Sequence, residues 1–70
     1  MSDPGRRQGT VSAFDEHVGL GTVADGAGEW PFHCTQIADG SRSIAVGATV
    51  DFELRPAHGG RYEAVDLRGR

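Results

Sequence analysis

The chain has 70 residues, a formal net charge of −3 and a single cysteine. That length allows one domain with a thin core, and leaves no room for separate cofactor and substrate domains. Cys34 alone excludes an internal disulfide and suggests a reducing compartment.

The first eight residues, Met1 to Gln8, are polar, with no apolar stretch behind Arg6 and Arg7. They read as a disordered tail, neither signal peptide nor anchor. From Gly9 onward, short apolar runs of period two predict strands. The first is Gly9 to Phe14, around Val11 and Ala13. The second is Val18 to Ala24, with Val18, Leu20 and Thr22 on one face and Val23 on the other. Asp25-Gly26-Ala27-Gly28 is hairpin chemistry. The third run, Trp30 to Cys34, puts Trp30 and Phe32 on one face, and Thr35 to Ala38 has room for one helical turn. Asp39-Gly40-Ser41 opens a long connection. The fourth run, Thr49 to Arg55, alternates Val50, Phe52 and Leu54 with polar residues. Pro56-Ala57-His58-Gly59-Gly60 leads to the fifth, Arg61 to Leu67, with Val65 and Leu67 on one side. Five short strands in so small a chain predict a closed antiparallel barrel, because closure removes sheet edges. The predicted core is Val11, Val23, Phe32, Ile37, Val50, Phe52, Leu54 and Leu67.

The order and spacing of four motifs resemble the cold-shock domain family. Gly9-Thr10-Val11-Ser12-Ala13-Phe14-Asp15 and Val18-Gly19-Leu20-Gly21-Thr22-Val23 align without a gap to Gly-x-Val-Lys-Trp-Phe-Asn-x-x-Lys-Gly-Phe-Gly-Phe-Ile. Glu29 to Ile37 is similar to Asp-Val-Phe-Val-His-Phe-Ser-Ala-Ile. Val46 to Glu53 resembles Glu-Gly-Gln-x-Val-x-Phe-Glu, and Glu63 to Leu67 resembles Gln-Ala-x-Asn-Val. The resemblance covers residues 9–67. It implies an all-β, five-stranded, OB-like barrel over those residues, with 68–70 as a short basic tail. It also implies a single-strand RNA or DNA ligand. The core and turn positions match: Gly9, Val11, Gly19, Gly21, Val23, Ile37, Gly47, Val50 and Phe52. The base-stacking positions do not: they hold Ala13, Leu20, Thr22, Pro31 and Cys34, and two lysine positions hold Ser12 and Val18. Phe14 and His33 remain.

The contact face implied is therefore Phe14, Leu20, Thr22, Pro31 and His33, with Arg61 and the terminal arginines supplying charge. Stacking is worth ~1–3 kcal/mol per base, and a micromolar complex has only about 8 kcal/mol in total. Weak, low-specificity binding is the expectation, and salt-sensitive, because arginines outnumber stacking platforms. The chain has no lysine and is acidic overall, which argues against strong phosphate binding. The competing reading is a protein-interaction module that kept the barrel and presents Leu20, Pro31, Phe14 and Trp30 to a partner. Trp30 is expected in the core, because it shares a face with Phe32. Tyr62, Arg61 and His58 form a candidate secondary patch.

No enzyme, cofactor or metal site is expected. Gly19-Leu20-Gly21-Thr22-Val23-Ala24 fits a loose dinucleotide fingerprint, but that motif needs a βαβ unit around it. His33 and Cys34 are neighbours on a strand and point to opposite faces. Asp15, Glu16 and His17 read as a solvated turn. No membrane contact is expected, and the location expected is cytoplasmic.

Overall fold

The computed structural model describes residues 6–69. Five antiparallel strands, β1 (Arg6–Asp15), β2 (Leu20–Asp25), β3 (Gly28–His33), β4 (Thr49–Pro56) and β5 (Tyr62–Gly69), form one sheet in the order β3-β2-β1-β4-β5. The sheet curls until β3 packs against β5. A parallel bridge between Ile37 and Leu67, with Ala38 N–H donating to Leu67 O at 2.8 Å, helps close this seam. The result is an OB-like barrel of the cold-shock type.

Closure depends on two bulges. β1 pairs with β4 from Arg6 to Thr10 and with β2 from Thr10 to Asp15. Its register slips at Ser12, between the pairs Val11–Val23 and Ala13–Thr22. An extra residue of this kind bends a strand and raises its twist, letting β1 serve both halves of the barrel. The second slip sets Asp66 and Leu67 of β5 against Phe52 of β4. Asp66 takes φ 53°, a left-handed conformation that Asp tolerates better than most side chains.

Eight side chains form the core: Val11, Val23, Phe32, Ile37, Val50, Phe52, Ala64 and Leu67. The second bulge explains a correction. Simple alternation places Val65 beside Leu67, but the extra residue turns Ala64 and Leu67 inward together, and Val65 is only half-buried. Leu54, expected in the core, is half-buried against it, opposite the fully buried Ala64. Trp30 faces inward, paired with Val23, and packs on the core edge.

The strands also run further than expected. Arg6, Arg7 and Gln8 pair with Glu53, Phe52 and Asp51, so the barrel starts at Arg6 rather than Gly9. Arg68 and Gly69 pair with Asp51 and Val50, so β5 continues into the expected basic tail. Residues 1–5 and Arg70 lie outside the described residues. The expected helical turn is a 3₁₀ turn at Cys34–Gln36, and a second covers His58–Gly60.

Arg7 organises one edge of the barrel. Its guanidinium lies 5.6 Å from the Trp30 ring centroid, and its Nε donates to Asp25 Oδ2 at 2.7 Å. Asp25 Oδ1 accepts from the Ala27 and Gly28 amides at 2.8 and 3.1 Å, which fixes the β2–β3 hairpin. Burial works to raise the Asp25 carboxyl. The Arg7 hydrogen bond and charge, the Ala27 amide and the nearby Trp30 indole outweigh it and hold the carboxyl below its ordinary range. The indole N–H is buried and lacks a partner at hydrogen-bond geometry, so its help to Asp25 is electrostatic.

Candidate functional site

Register across β1, β2 and β3 sorts the face into rows, because directly paired residues point the same way. Ala13, Thr22 and Pro31 form one outward row. Asp15, Leu20 and His33 form the next. Between them lies an inward row of Phe14, Gly21 and Phe32. A shallow groove of about 450 Å³ crosses the rows, lined by Ala13, Phe14, Asp15, Leu20, Gly21, Thr22 and Pro31.

Phe14 belongs to the inward row. It stacks parallel to Phe32, with ring centroids 5.9 Å apart, and is half-buried against the core while still lining the groove. The expectation that it points freely outward is corrected here: the bulge at Ser12 puts Ala13 in the outward position and Phe14 over Gly21. A Cβ on Gly21 would lie 2.6 Å from Phe32 Cζ and 2.9 Å from Phe14 Cδ1, so the pair packs in the space where a side chain would be.

The outward row carries less ring surface. Leu20 is 53% exposed and directly opposite His33. Thr22 is tied to Ser12, hydroxyl to hydroxyl, at 2.7 Å. Pro31, opposite Thr22, is exposed. His33 ends β3 and caps the 3₁₀ turn: its Nδ1 accepts from the Thr35 amide at 3.2 Å and lies 2.9 Å from the Thr35 hydroxyl. The ring sits beside Gly19, which has φ 76° and whose missing side chain leaves room for Cys34 Sγ, 2.8 Å from where a Cβ would be.

The face has little positive charge. Arg6 pairs with Glu53 and Asp66, Arg68 with Asp66, Arg55 with Glu63 and Arg7 with Asp25. Among the described arginines only Arg42 and Arg61 stand outside an ion pair, and neither lines the groove. Arg61 lies in the β4–β5 connection beside exposed Tyr62 and His58, with its carbonyl accepting from Ala57 N–H at 2.7 Å. Asp15, a groove residue that sequence reasoning did not place there, adds negative charge. Its Oδ1 accepts from His17 N–H at 3.0 Å. The register opposite Leu20 was the signal that could have found it. No group of three or more His, Cys, Asp or Glu residues fit to hold a metal occurs among the described residues.

Two curated proteins align with nearly the whole chain. Cold shock domain-containing protein 4 of Arabidopsis thaliana is 36% identical over 72 aligned positions, covering 99% of this chain and 36% of that protein. Glycine-rich protein 2 of Nicotiana sylvestris is 39% identical over 67 positions, covering 91% of this chain and 31% of that protein. The chain is a relative of the cold-shock domains. It spans about a third of the length of these curated relatives. No family model matches it.

In this cold-shock-type barrel, conserved-type and departing positions separate by direction. Val11, Val23, Ile37, Val50 and Phe52, which fit the family pattern, are all core residues. Ala13, Leu20, Thr22 and Pro31, which depart from it, all sit in the two outward rows. The exceptions are on β3 and just after it: Trp30 and Phe32 stand where the pattern has valine and Cys34 where it has phenylalanine, and these three pack in or against the core.

Proposed function

We propose that the β1–β3 face binds single-stranded RNA or DNA weakly and with little sequence preference. The observation that carries this is the apolar groove lined by Phe14, Leu20 and Pro31, with His33 paired to Leu20 in the next strand, on a barrel of cold-shock type. Every base has a π-face, so such a groove accepts bases without reading their edges. Few platforms and a nearly uncharged face make the binding weak.

One specific observation supports a protein partner instead. Four of the six described arginines are held by carboxylates of the same chain, leaving an apolar groove with an acidic edge. That surface suits apolar docking at least as well as phosphate contact.

The deciding experiment adds ring surface to the parent. Leu20→Phe with Thr22→Phe places aromatics in the outward rows without touching the core. Fluorescence anisotropy with labelled oligothymidylate and oligouridylate at low salt then compares parent and variant. The nucleic-acid reading expects measurable parent binding and a gain of ~1–3 kcal/mol per base engaged. A parent that does not bind beside a variant that does identifies a competent scaffold whose ligand is no longer nucleic acid, and supports the protein-partner reading.

A further inference from the structure

His33 is exposed at the end of β3, and the chemistry of its free ring nitrogen, which lies beside Gly19, is defined by what holds the other nitrogen. An imidazole nitrogen that accepts a hydrogen bond cannot carry the proton of the neutral ring. Nδ1 accepts from the Thr35 amide at 3.2 Å, and the Thr35 hydroxyl lies 2.9 Å away, placed to donate to the same lone pair. Cys34 Sγ, at 3.9 Å, is a weak third neighbour. The neutral ring therefore protonates Nε2. That atom has no hydrogen-bond partner among the described residues.

We infer that Thr35 is a positioning residue that holds His33 in the Nε2–H tautomer, so that the face offers its ligand a hydrogen-bond donor at a fixed point beside Leu20. This rests on the nucleic-acid reading above and sharpens it. The ligand must bring an acceptor to that point, a base carbonyl or ring nitrogen or a phosphate oxygen. Acceptance by the ring is closed off as long as the cap stands.

The arrangement has a reason in the chain. β3 leaves the sheet after His33, and a 3₁₀ turn begins there whose first amides have no partner within the turn: Cys34 N–H donates to Gly19 O at 2.8 Å, and Thr35 N–H to His33 Nδ1. A histidine at that position can satisfy one amide with one nitrogen and keep the other for a ligand. An Asn or Ser would cap equally well but present no donor at that reach.

Nitrogen-15 NMR of the imidazoles tests the tautomer without any ligand. Spectra are taken at mildly alkaline pH, where histidine is neutral, for the parent, Thr35→Val and Thr35→Ser. The expected result is a protonated Nε2 and an unprotonated Nδ1 in the parent and in Thr35→Ser. In Thr35→Val, which keeps the amide but loses the hydroxyl, the Nδ1–H form should gain population. A parent with protonated Nδ1, donating to the Thr35 hydroxyl, overturns the assignment.

The same three proteins are then titrated with oligothymidylate and with an abasic chain of equal length. Thr35→Val should weaken oligothymidylate binding roughly 2- to 10-fold, the share of one hydrogen bond. Its thermal midpoint should stay at the parent value, and Thr35→Ser should restore the affinity. Loss confined to oligothymidylate identifies a base acceptor, and equal loss with the abasic chain identifies phosphate. Parent-like affinity in Thr35→Val despite a mixed tautomer overturns the donor role. A parent that binds neither probe refutes the nucleic-acid reading, and with it the ligand named here, while the NMR result judges the tautomer independently.

Discussion

Gly21→Ala tests whether the Phe14–Phe32 pair is built on a missing side chain. The new Cβ would meet Phe32 Cζ at 2.6 Å, Ala13 O at 2.7 Å and Phe14 Cδ1 at 2.9 Å. Two of these are ring atoms that can shift. The third is a backbone carbonyl in β1, which yields only if the strand moves. Overpacking of this kind costs about 1–3 kcal/mol. Replacing glycine by alanine returns about 0.4–1 kcal/mol by restricting the unfolded chain. The balance is a net loss of roughly 1–2 kcal/mol. For a domain of this size that lowers Tm by about 4–16 °C, at 4–8 °C per kcal/mol. Gly26→Ala is the control: nothing lies within 4 Å of its Cβ, so Tm should hold or rise slightly. The assay is thermal unfolding followed by circular dichroism, with the near-ultraviolet aromatic signal as a second readout. A Gly21→Ala protein as stable as Gly26→Ala, with an unchanged aromatic signal, would refute the packing argument.

Phe52→Ala should remove about 3–5 kcal/mol, the range for a fully buried aromatic. Against ~0.05–0.15 kcal/mol per residue of total stability, that leaves little or no cooperative transition. Asp25 should give the barrel an acid-sensitive component. Its folded carboxyl lies below the ordinary value of 3.8, so its contribution is present above that value and disappears as pH falls through the folded one. Asp25→Asn should flatten the loss of stability below about pH 4 in denaturant titrations run across that range. An unchanged acid limb would show that the Arg7 contact adds nothing.

How much of this was legible in the sequence depends on whether local pattern or long-range pairing decides the feature. Val50 and Phe52 alternate cleanly and are buried as the pattern says. Ala64 was missed because the bulge at Asp66 changes which residues share a side, and a bulge is a property of two strands. Phe14 shows the same limit at the site. Its place in the motif marks it as a contact residue, but the slip at Ser12 puts it on the core side of the sheet, stacked on Phe32. His33 was recognisable as the retained site histidine. Its role as cap of the following turn needed the backbone path after β3. The arginines misled for an electrostatic reason. Their number was readable, but their carboxylate partners, such as Glu53 and Asp66 for Arg6, come from distant strands.

Those ion pairs make the salt response expected of any binding shallower than the arginine count suggests. For single strands, log K falls with log salt at a slope of about −0.7 per phosphate neutralised. Counting arginines in the sequence gives a steep slope. The structure leaves Arg42 and Arg61 outside ion pairs, and Arg70 outside the described residues. At most about three phosphates are then neutralised, a slope near −2. Raising salt from about 50 to 200 mM should weaken binding less than about 20-fold, where a binder with six to ten phosphate contacts on duplex DNA loses about 10³–10⁵. Anisotropy titrations with one oligonucleotide across that range measure the slope directly. A shallow slope together with a gain from Leu20→Phe and Thr22→Phe assigns the affinity to the groove. A slope steeper than −3 would mean that Arg6, Arg7, Arg55 or Arg68 abandons its carboxylate for phosphate. The ion pairs would then be a reserve of cations rather than part of the fold's frame, and the contact surface would extend well beyond β1–β3.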